Sequence, residues 1–270
     1  MNIVSFSGGK DSTAMLLRMI ELGYKIDKIV FADTSFEFPE LYDYIKRVEK
    51  HIRRKITILK PEKGLFEKWF YGEVTRGVNK GKTRGFPLVA FPCWWSRESK
   101  LKPLMKYQKD ADNVYIGIAY DEKERMSIKD DNLVYPLIEW EWTEQDCINY
   151  LNKKDLFNPL YVNFDRLGCW FCQKQSEKSL YVLWKNYPDL WNKLKEWDIE
   201  NVKVTGHFIK NNIAIADFEE SFKAGKIPNK LPKYCCSNGC ESVKKAFQQK
   251  QQGLGEYFEL EKELDKATNR

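Results

Sequence analysis

Residues 2–23, NIVSFSGGKDSTAMLLRMIELG, decide how this chain folds. The opening NIVSF is a short β-rich run that stops at Gly8 and Gly9. Beyond them Ala14, Leu16, Leu17 and Ile20 return at helical spacing. Asp11 and Ser12 are able to cap that helix, and Gly23 can end it. The loop between strand and helix, Ser7-Gly8-Gly9-Lys10-Asp11-Ser12, suits an anion. Its glycines let backbone N–H groups approach closely, and the helix aims its positive end at the same place. Lys10 adds a point charge, and Ser7 and Ser12 add hydroxyls. Asp11 would repel a bare phosphate. It makes sense with a Mg²⁺ held between its carboxylate and the phosphates. The spacing is neither G-x-x-x-x-G-K-[ST] nor G-x-G-x-x-G.

Outward from this stretch the pattern repeats. KIDKIVFADTS reads as a second strand, PELYDYIKRVEKHI as a second helix with Pro39 near its start, and RKITIL as a third strand. Strand, helix, strand, helix, strand at this spacing is an α/β fold, a doubly wound, mostly parallel sheet. YGEVTRGVNKGKTRGFPLVAFP, residues 71–92, is a long loop rich in Gly and basic residues. SRESKLKPLMKY reads as helical, DNVYIGIAY as a strand, and WTEQDCINYLNKKD as a helix opened by a capping box of Thr143 and Asp146. Composition changes near residue 165. We expect a nucleotide-binding domain over 1–165 and a smaller, Cys-rich, mostly helical C-terminal part over 166–270.

The 270 residues are 43% hydrophobic and 14% aromatic, so a packed core is expected and disorder is not. A net charge of +6 permits an anionic partner without demanding one. No secretory signal is visible, and no run approaches the roughly 18 apolar residues of a membrane span. The expected location is cytoplasmic, without a membrane partner. In such a compartment seven Cys suit metal or redox chemistry better than disulfides.

Cys169-Trp-Phe-Cys172 is a C-x-x-C, with Cys93 upstream and Cys235, Cys236 and Cys240 downstream. Four of these thiolates would complete either a tetrahedral Zn²⁺ site or a [4Fe–4S] cluster. Cys236 or Cys240 could instead be an accessible thiol that carries sulfur. Cys147 falls in an amphipathic helix and is expected in the core. His51 and His207 read as surface or turn residues. Asp121, Glu122 and Glu124 form a charged turn within possible reach of Mg²⁺. Arg76, Lys80, Lys82 and Arg84 make the long loop either a solvated segment or a grip on a nucleic-acid backbone.

SGGKDS after a first strand resembles the PP-loop of the N-type ATP pyrophosphatases, whose fold is adenine nucleotide alpha hydrolase-like. The likeness continues toward the phosphoadenylyl-sulfate (PAPS) reductases of that superfamily. VFADTSFEFPELYDYI resembles their second-strand segment, through Asp33, Thr34, Phe38, Pro39 and Glu40. FPCWWSRESKLKPLMKY resembles their Cys-containing segment, and VYIGIAYDEKERMS their Gly-containing strand with an Arg after it, here Arg125. YPLIEWEWTEQDCINYL, NPLY and GCWFC follow in the same order, so the likeness spans roughly residues 1 to 175. GCWFCQKQSEKSL is also similar to the C-x-x-C segment of the pyrophosphatase-type protein of DNA phosphorothioation systems, which carries a cluster.

The resemblance implies ATP, or PAPS or adenylyl-sulfate (APS), bound through Ser7, Gly8, Gly9, Lys10, Asp11, Ser12, Asp33, Thr34 and Arg125. Lys10 and Asp11 would be the catalytic pair. It favours a [4Fe–4S] cluster over Zn²⁺, with Cys93, Cys169, Cys172 and one of Cys235, Cys236 or Cys240 as ligands. Two features depart from the reductases. Their Glu-Cys-Gly-x-His motif has no counterpart in LEKELDKATNR, and their Gly-Leu-Arg turn is Gly117-Ile118-Ala119 here. The expected function is therefore an ATP pyrophosphatase-type enzyme that adenylates an acceptor, for sulfur transfer to a nucleotide or nucleic acid, with a sulfur-donor protein as a possible partner. The alternatives are a PAPS or APS reductase, and a nucleotide-dependent nucleic-acid-binding module without turnover.

Overall fold

In the computed structural model, residues 1–86, 93–126, 131–199, 204, 206 and 213–228 are described. Five strands form one sheet: β1 (Asn2–Ser5), β2 (Lys28–Ala32), β3 (Thr57–Leu59), β4 (Asn113–Ile116) and β5 (Leu133–Val134). Their order is β3-β2-β1-β4-β5, and every pairing is parallel. Val4 stands opposite Ile29 on one side and Tyr115 on the other. Ile3 and Val4 are fully buried, as a central parallel strand covered on both faces requires. The chain leaves β1 toward β2 and returns to its other side as β4. The ends of β1 and β4 therefore form the point where strand order reverses, which is where ligand crevices open in such sheets.

Helices α1 (Lys10–Glu21), α2 (Pro39–Ile52) and α3 (Leu65–Phe70) alternate with the first strands. α4 (Trp94–Ser96) runs through a π turn at Arg97–Leu101 into α5 (Lys102–Gln108). A 3-10 turn at Tyr120–Arg125, α6 (Pro136–Glu139) and α7 (Glu144–Lys153) follow β4 and β5 in turn. After a second 3-10 turn at Pro159–Val162 come α8 (Glu177–Asn186), α9 (Pro188–Ile199) and α10 (Ile215–Lys223). α1 buries Ala14, Met15, Leu16 and Met19 completely and packs against α7, which buries Cys147, Ile148 and Leu151. Cys147 is thus the core residue its helical spacing implies.

The strand read over 112–120 stops at Ile116, because Gly117 turns the chain onto the start of α1. The two residues of β5 carry no readable alternation and were not expected. The basic loop folds back on itself through a bridge between Glu73 and Thr83.

The described residues beyond 165 share the core of those before it. Phe36, in the turn after β2, packs on Phe66, Trp95, Trp170, Phe171 and Trp197, with ring centroids 4.6–6.0 Å apart. The Trp170 N–H donates to the Phe36 carbonyl at 2.9 Å, which fixes the C-x-x-C turn against this cluster. Ring pairs of this kind contribute about 0.5–1.5 kcal/mol each beyond their buried area. The remainder of the C-terminal part, with His207, Cys235, Cys236 and Cys240, lies outside the described residues.

Candidate functional site

The loop of residues 7–12 emerges from β1 at the switch point. Gly8 has φ +73°, and a Cβ there would meet Leu41 Cδ1 at 2.7 Å, so only glycine fits both the backbone and the space. Hydroxyls hold the loop from within. Ser7 Oγ lies 2.9 Å from Ser12 Oγ, and the Ser7 N–H donates to Ser12 Oγ. Asn158 and Tyr161, from the NPLY segment, hold it from outside. Asn158 Nδ2 donates to the Gly8 carbonyl at 2.9 Å, and the Lys10 N–H donates to the Tyr161 hydroxyl at 3.2 Å. The Tyr161 phenol is pushed up to about 12, chiefly by burial. Across the switch point, a Cβ on Gly117 would lie 2.7 Å from both Cα and N of Ser12. β4 and the N-terminus of α1 meet this closely because position 117 has no side chain.

Lys10 is 4% exposed, and its Nζ lies 2.6 Å from Glu144 Oε1 and 3.1 Å from Asp11 Oδ2. Burial alone would lower the lysine pKa. Asp11, Tyr161 and Glu144 outweigh it and hold the ammonium above its ordinary range. Asp11 moves the other way: burial raises its carboxyl despite the neighbouring Lys10. Asp11 Oδ1 is buried without a hydrogen bond of ordinary geometry, and the Cys147 thiol, a weak donor, lies near the Asp11 carboxyl. Asp11, Glu122 and Glu144 bring one oxygen each within 4.8 Å of one another, the one such set of metal-ligating groups among the described residues. Glu144 opens α7. Its backbone N–H donates to Asp121, while Thr143 and Asp146 close the expected capping box.

These groups line a cavity of about 860 Å³. Ser7, Gly9, Lys10, Asp11, Ser12 and Arg125 are all on its wall, joined by Glu37, Lys100, Glu144, Tyr161, Arg166 and Lys174. Arg125 is ion-paired with Glu122. Gly8, Asp33 and Thr34 do not line it. Asp33 is buried, accepts from Tyr42 and the Ser35 N–H, and faces Lys60. Thr34 is buried behind Glu37. Glu144, Tyr161, Glu37 and Lys100 escaped the sequence reading. A helix-opening glutamate and a single tyrosine become informative only once the fold sets them opposite Lys10. His51 is exposed, and Arg76, Lys80 and Lys82 stand exposed on the basic loop.

A smaller recess adjoins the cavity, sharing Arg166, Leu167, Gly168 and Lys174 with it, and exposes Cys169 and Cys172. Cys169 Sγ donates to Thr34 Oγ1 at 3.4 Å, and burial raises its thiol. Cys93 packs partly buried against the same core. Cys93, Cys169 and Cys172 do not draw their three sulfurs within 4.8 Å of one another. Among the described residues no helix is long and apolar enough to cross a membrane.

A five-stranded parallel sheet with a glycine loop, a buried lysine and a carboxylate cluster at its switch point defines an α/β protein with its crevice where such sheets take ligands. The chain belongs to the phosphoadenosine phosphosulfate reductase domain family, whose model matches residues 1–175. It is 32% identical over 207 residues to an uncharacterized protein of Methanocaldococcus jannaschii, covering 71% of this chain and 40% of that one. It is 30% identical over 203 residues to the adenosine 5′-phosphosulfate reductase of Staphylococcus haemolyticus, covering 68% of this chain and 76% of that enzyme. The chain thus spans about two fifths of the archaeal relative and three quarters of the staphylococcal one. The PAPS reductase of Candida auris, solved with phosphate, superposes with TM-score 0.47 at 16% identity over 64% of this chain and 83% of that one.

Proposed function

We propose that the cavity binds ATP with Mg²⁺ and that the chain adenylates an acceptor, preparing it for attack by sulfur. The observation that carries this reading is the set Asp11, Glu122 and Glu144 beside Lys10 and the glycine loop. A site meant only for an anion gains nothing from three carboxylates. A site for a metal-bridged polyphosphate needs both charges. Asp11 Oδ1, met by no strong donor, fits the same role, since a desolvated acceptor is costly unless a donor or a cation meets it.

The chain's own share is positioning and charge. N–H groups of the loop and the N-terminus of α1 receive phosphate oxygens, and Lys10 offsets their charge. Asp11, Glu122 and Glu144 would hold the cation, which supplies charge neutralisation at the phosphates. An acceptor oxygen attacks the α-phosphorus and loses its proton. The bond to the bridging oxygen breaks, and pyrophosphate leaves with the electron pair. A sulfur nucleophile then displaces AMP from the adenylated carbon. The sulfur donor and the acceptor, a nucleotide or nucleic acid, belong to this proposal, as does a role for the basic loop in gripping the latter.

Cys93, Cys169 and Cys172, with one of Cys235, Cys236 or Cys240, fit a [4Fe–4S] cluster better than Zn²⁺. They are soft donors in aromatic surroundings, which suits an iron–sulfur cluster. The cluster would supply electron or sulfur chemistry beside the cavity.

The second reading, reduction of APS or PAPS, draws on the family and on the cysteine recess that adjoins the cavity. One assay separates the two. Pyrophosphate release from ATP that needs Mg²⁺ and falls at least 100-fold in Asp11→Asn supports adenylation. Sulfite release from APS or PAPS with a thiol donor, without pyrophosphate from ATP, overturns it.

A further inference from the structure

The peptide between Gly8 and Gly9 has glycine on both sides. Turning it over reverses ψ at Gly8 and φ at Gly9, a change that glycine tolerates and other residues do not. The two glycines therefore leave the direction of the Gly9 N–H open, and Asn158 fixes it from outside the loop. The Asn158 side chain is fully buried, is absent from the cavity wall, and donates from Nδ2 to the Gly8 carbonyl at 2.9 Å. Its Oδ1 accepts from the Leu160 N–H at 3.0 Å and so caps the 3-10 turn at Pro159–Val162. The capped turn holds the donor in place.

A trans peptide points its C=O and its N–H in opposite directions. Asn158 holds the Gly8 carbonyl on the buried side, so the Gly9 N–H faces the other side, where Ser7 and Gly9 line the cavity. There it donates to Ser7 Oγ at 3.3 Å, longer than the usual bond of this kind. A phosphate oxygen carries charge and makes a shorter, stronger bond with an N–H. The Gly9 N–H is thus aimed at the cavity and held only by a bond that an anion displaces.

We propose that Asn158 is a positioning residue for the phosphates: by holding the Gly8 carbonyl it presents the Gly9 N–H to them. The inference rests on the reading of the cavity as a nucleotide site. It adds to that reading a residue that touches neither the nucleotide nor the cation.

Asn158→Ser is the variant that tests it, because a serine hydroxyl still caps the turn but is too short to reach the Gly8 carbonyl. The readout is the amide spectrum of protein labelled with ¹⁵N at its fifteen glycines. Inorganic pyrophosphate with Mg²⁺ moves the wild-type Gly9 amide signal downfield. Asn158→Ser loses that response and binds ATP about 10-fold more weakly, while glycine signals beyond Gly8 and Gly9 stay where they were. Three results overturn the inference and leave the nucleotide reading standing. One is a wild-type Gly9 signal that pyrophosphate does not move although ATP binds. Another is a folded Asn158→Ser that keeps either the response or the affinity. The third is a ligand-free Asn158→Ser whose glycine signals move throughout the chain, which marks Asn158 as structural. The wild-type response carries the test if Asn158→Ser does not fold. A wild type that binds neither ATP nor pyrophosphate removes the nucleotide reading together with the inference.

Discussion

Asp11 shows stability yielding to chemistry within one side chain. Its carboxyl is raised above the ordinary 3.8 by burial, so the folded chain holds that proton more tightly than the unfolded one. Between those two values stability falls as pH rises, so at pH 7 burial of this carboxyl is a cost. Asp11→Asn is therefore expected to melt at a higher temperature than the wild type at pH 7. The gap closes as pH falls below 3.8, where the carboxyl is protonated in the folded and the unfolded chain alike. Thermal scans across that range check it, and a lower melting temperature at pH 7 contradicts it. Gly117 makes a steric prediction. A methyl group 2.7 Å from the Ser12 backbone must push β4 and α1 apart. Gly117→Ala should lose about 1–3 kcal/mol in chemical denaturation, with ATP affinity weakened about 10-fold in the protein that remains folded. Gly8, Gly9 and Asp11 were legible in sequence because each is odd in its setting, whereas Gly117 read as part of a strand. Tyr161 was not, since nothing in NPLY says which backbone its hydroxyl meets.

At the scale of elements, α7 carries the argument. Its first residue, Glu144, pairs with Lys10, and its N-terminus is fixed by Thr143, Asp146 and Asp121. The capping box could be read from spacing alone, because the reciprocal hydrogen bonds span three residues of one chain. The partnership with Lys10 could not, since it joins positions 134 residues apart. Thr143→Ala should cost about 1 kcal/mol of stability. It should also loosen Glu144, so the Mg²⁺ concentration needed for half-maximal ATP binding rises severalfold. Unchanged Mg²⁺ dependence in a destabilised variant would separate the helix cap from the site. Parallel strands β1 to β4 were legible as apolar runs between helices. β5 escaped because two residues have no period, and β4 is shorter than its apolar run because Gly117 serves the loop rather than the sheet.

At the scale of the whole molecule, the aromatic cluster around Phe36 ties the C-x-x-C turn to the part of the chain that carries the sheet. The change in composition near 165 is real in sequence, yet the described residues on either side share one core. Composition does not report which rings meet. Cys169 and Cys172 therefore sit on the same frame as the sheet, beside its cavity. Anaerobically purified protein is expected to be brown, with about four iron and four sulfide per chain, and to lose both in Cys172→Ser. A colourless protein with one zinc per chain contradicts the cluster.

The central claim is that carboxylates and lysine at the switch point together hold a metal-bridged polyphosphate. Calorimetric titration of ATP into the wild type, with Mg²⁺ and then with EDTA, tests it most directly. Saturable binding to one site per chain is expected in Mg²⁺, weakened at least about 10-fold by EDTA and by Asp11→Asn. Equal affinity with and without the cation, or no binding in its presence, would contradict it.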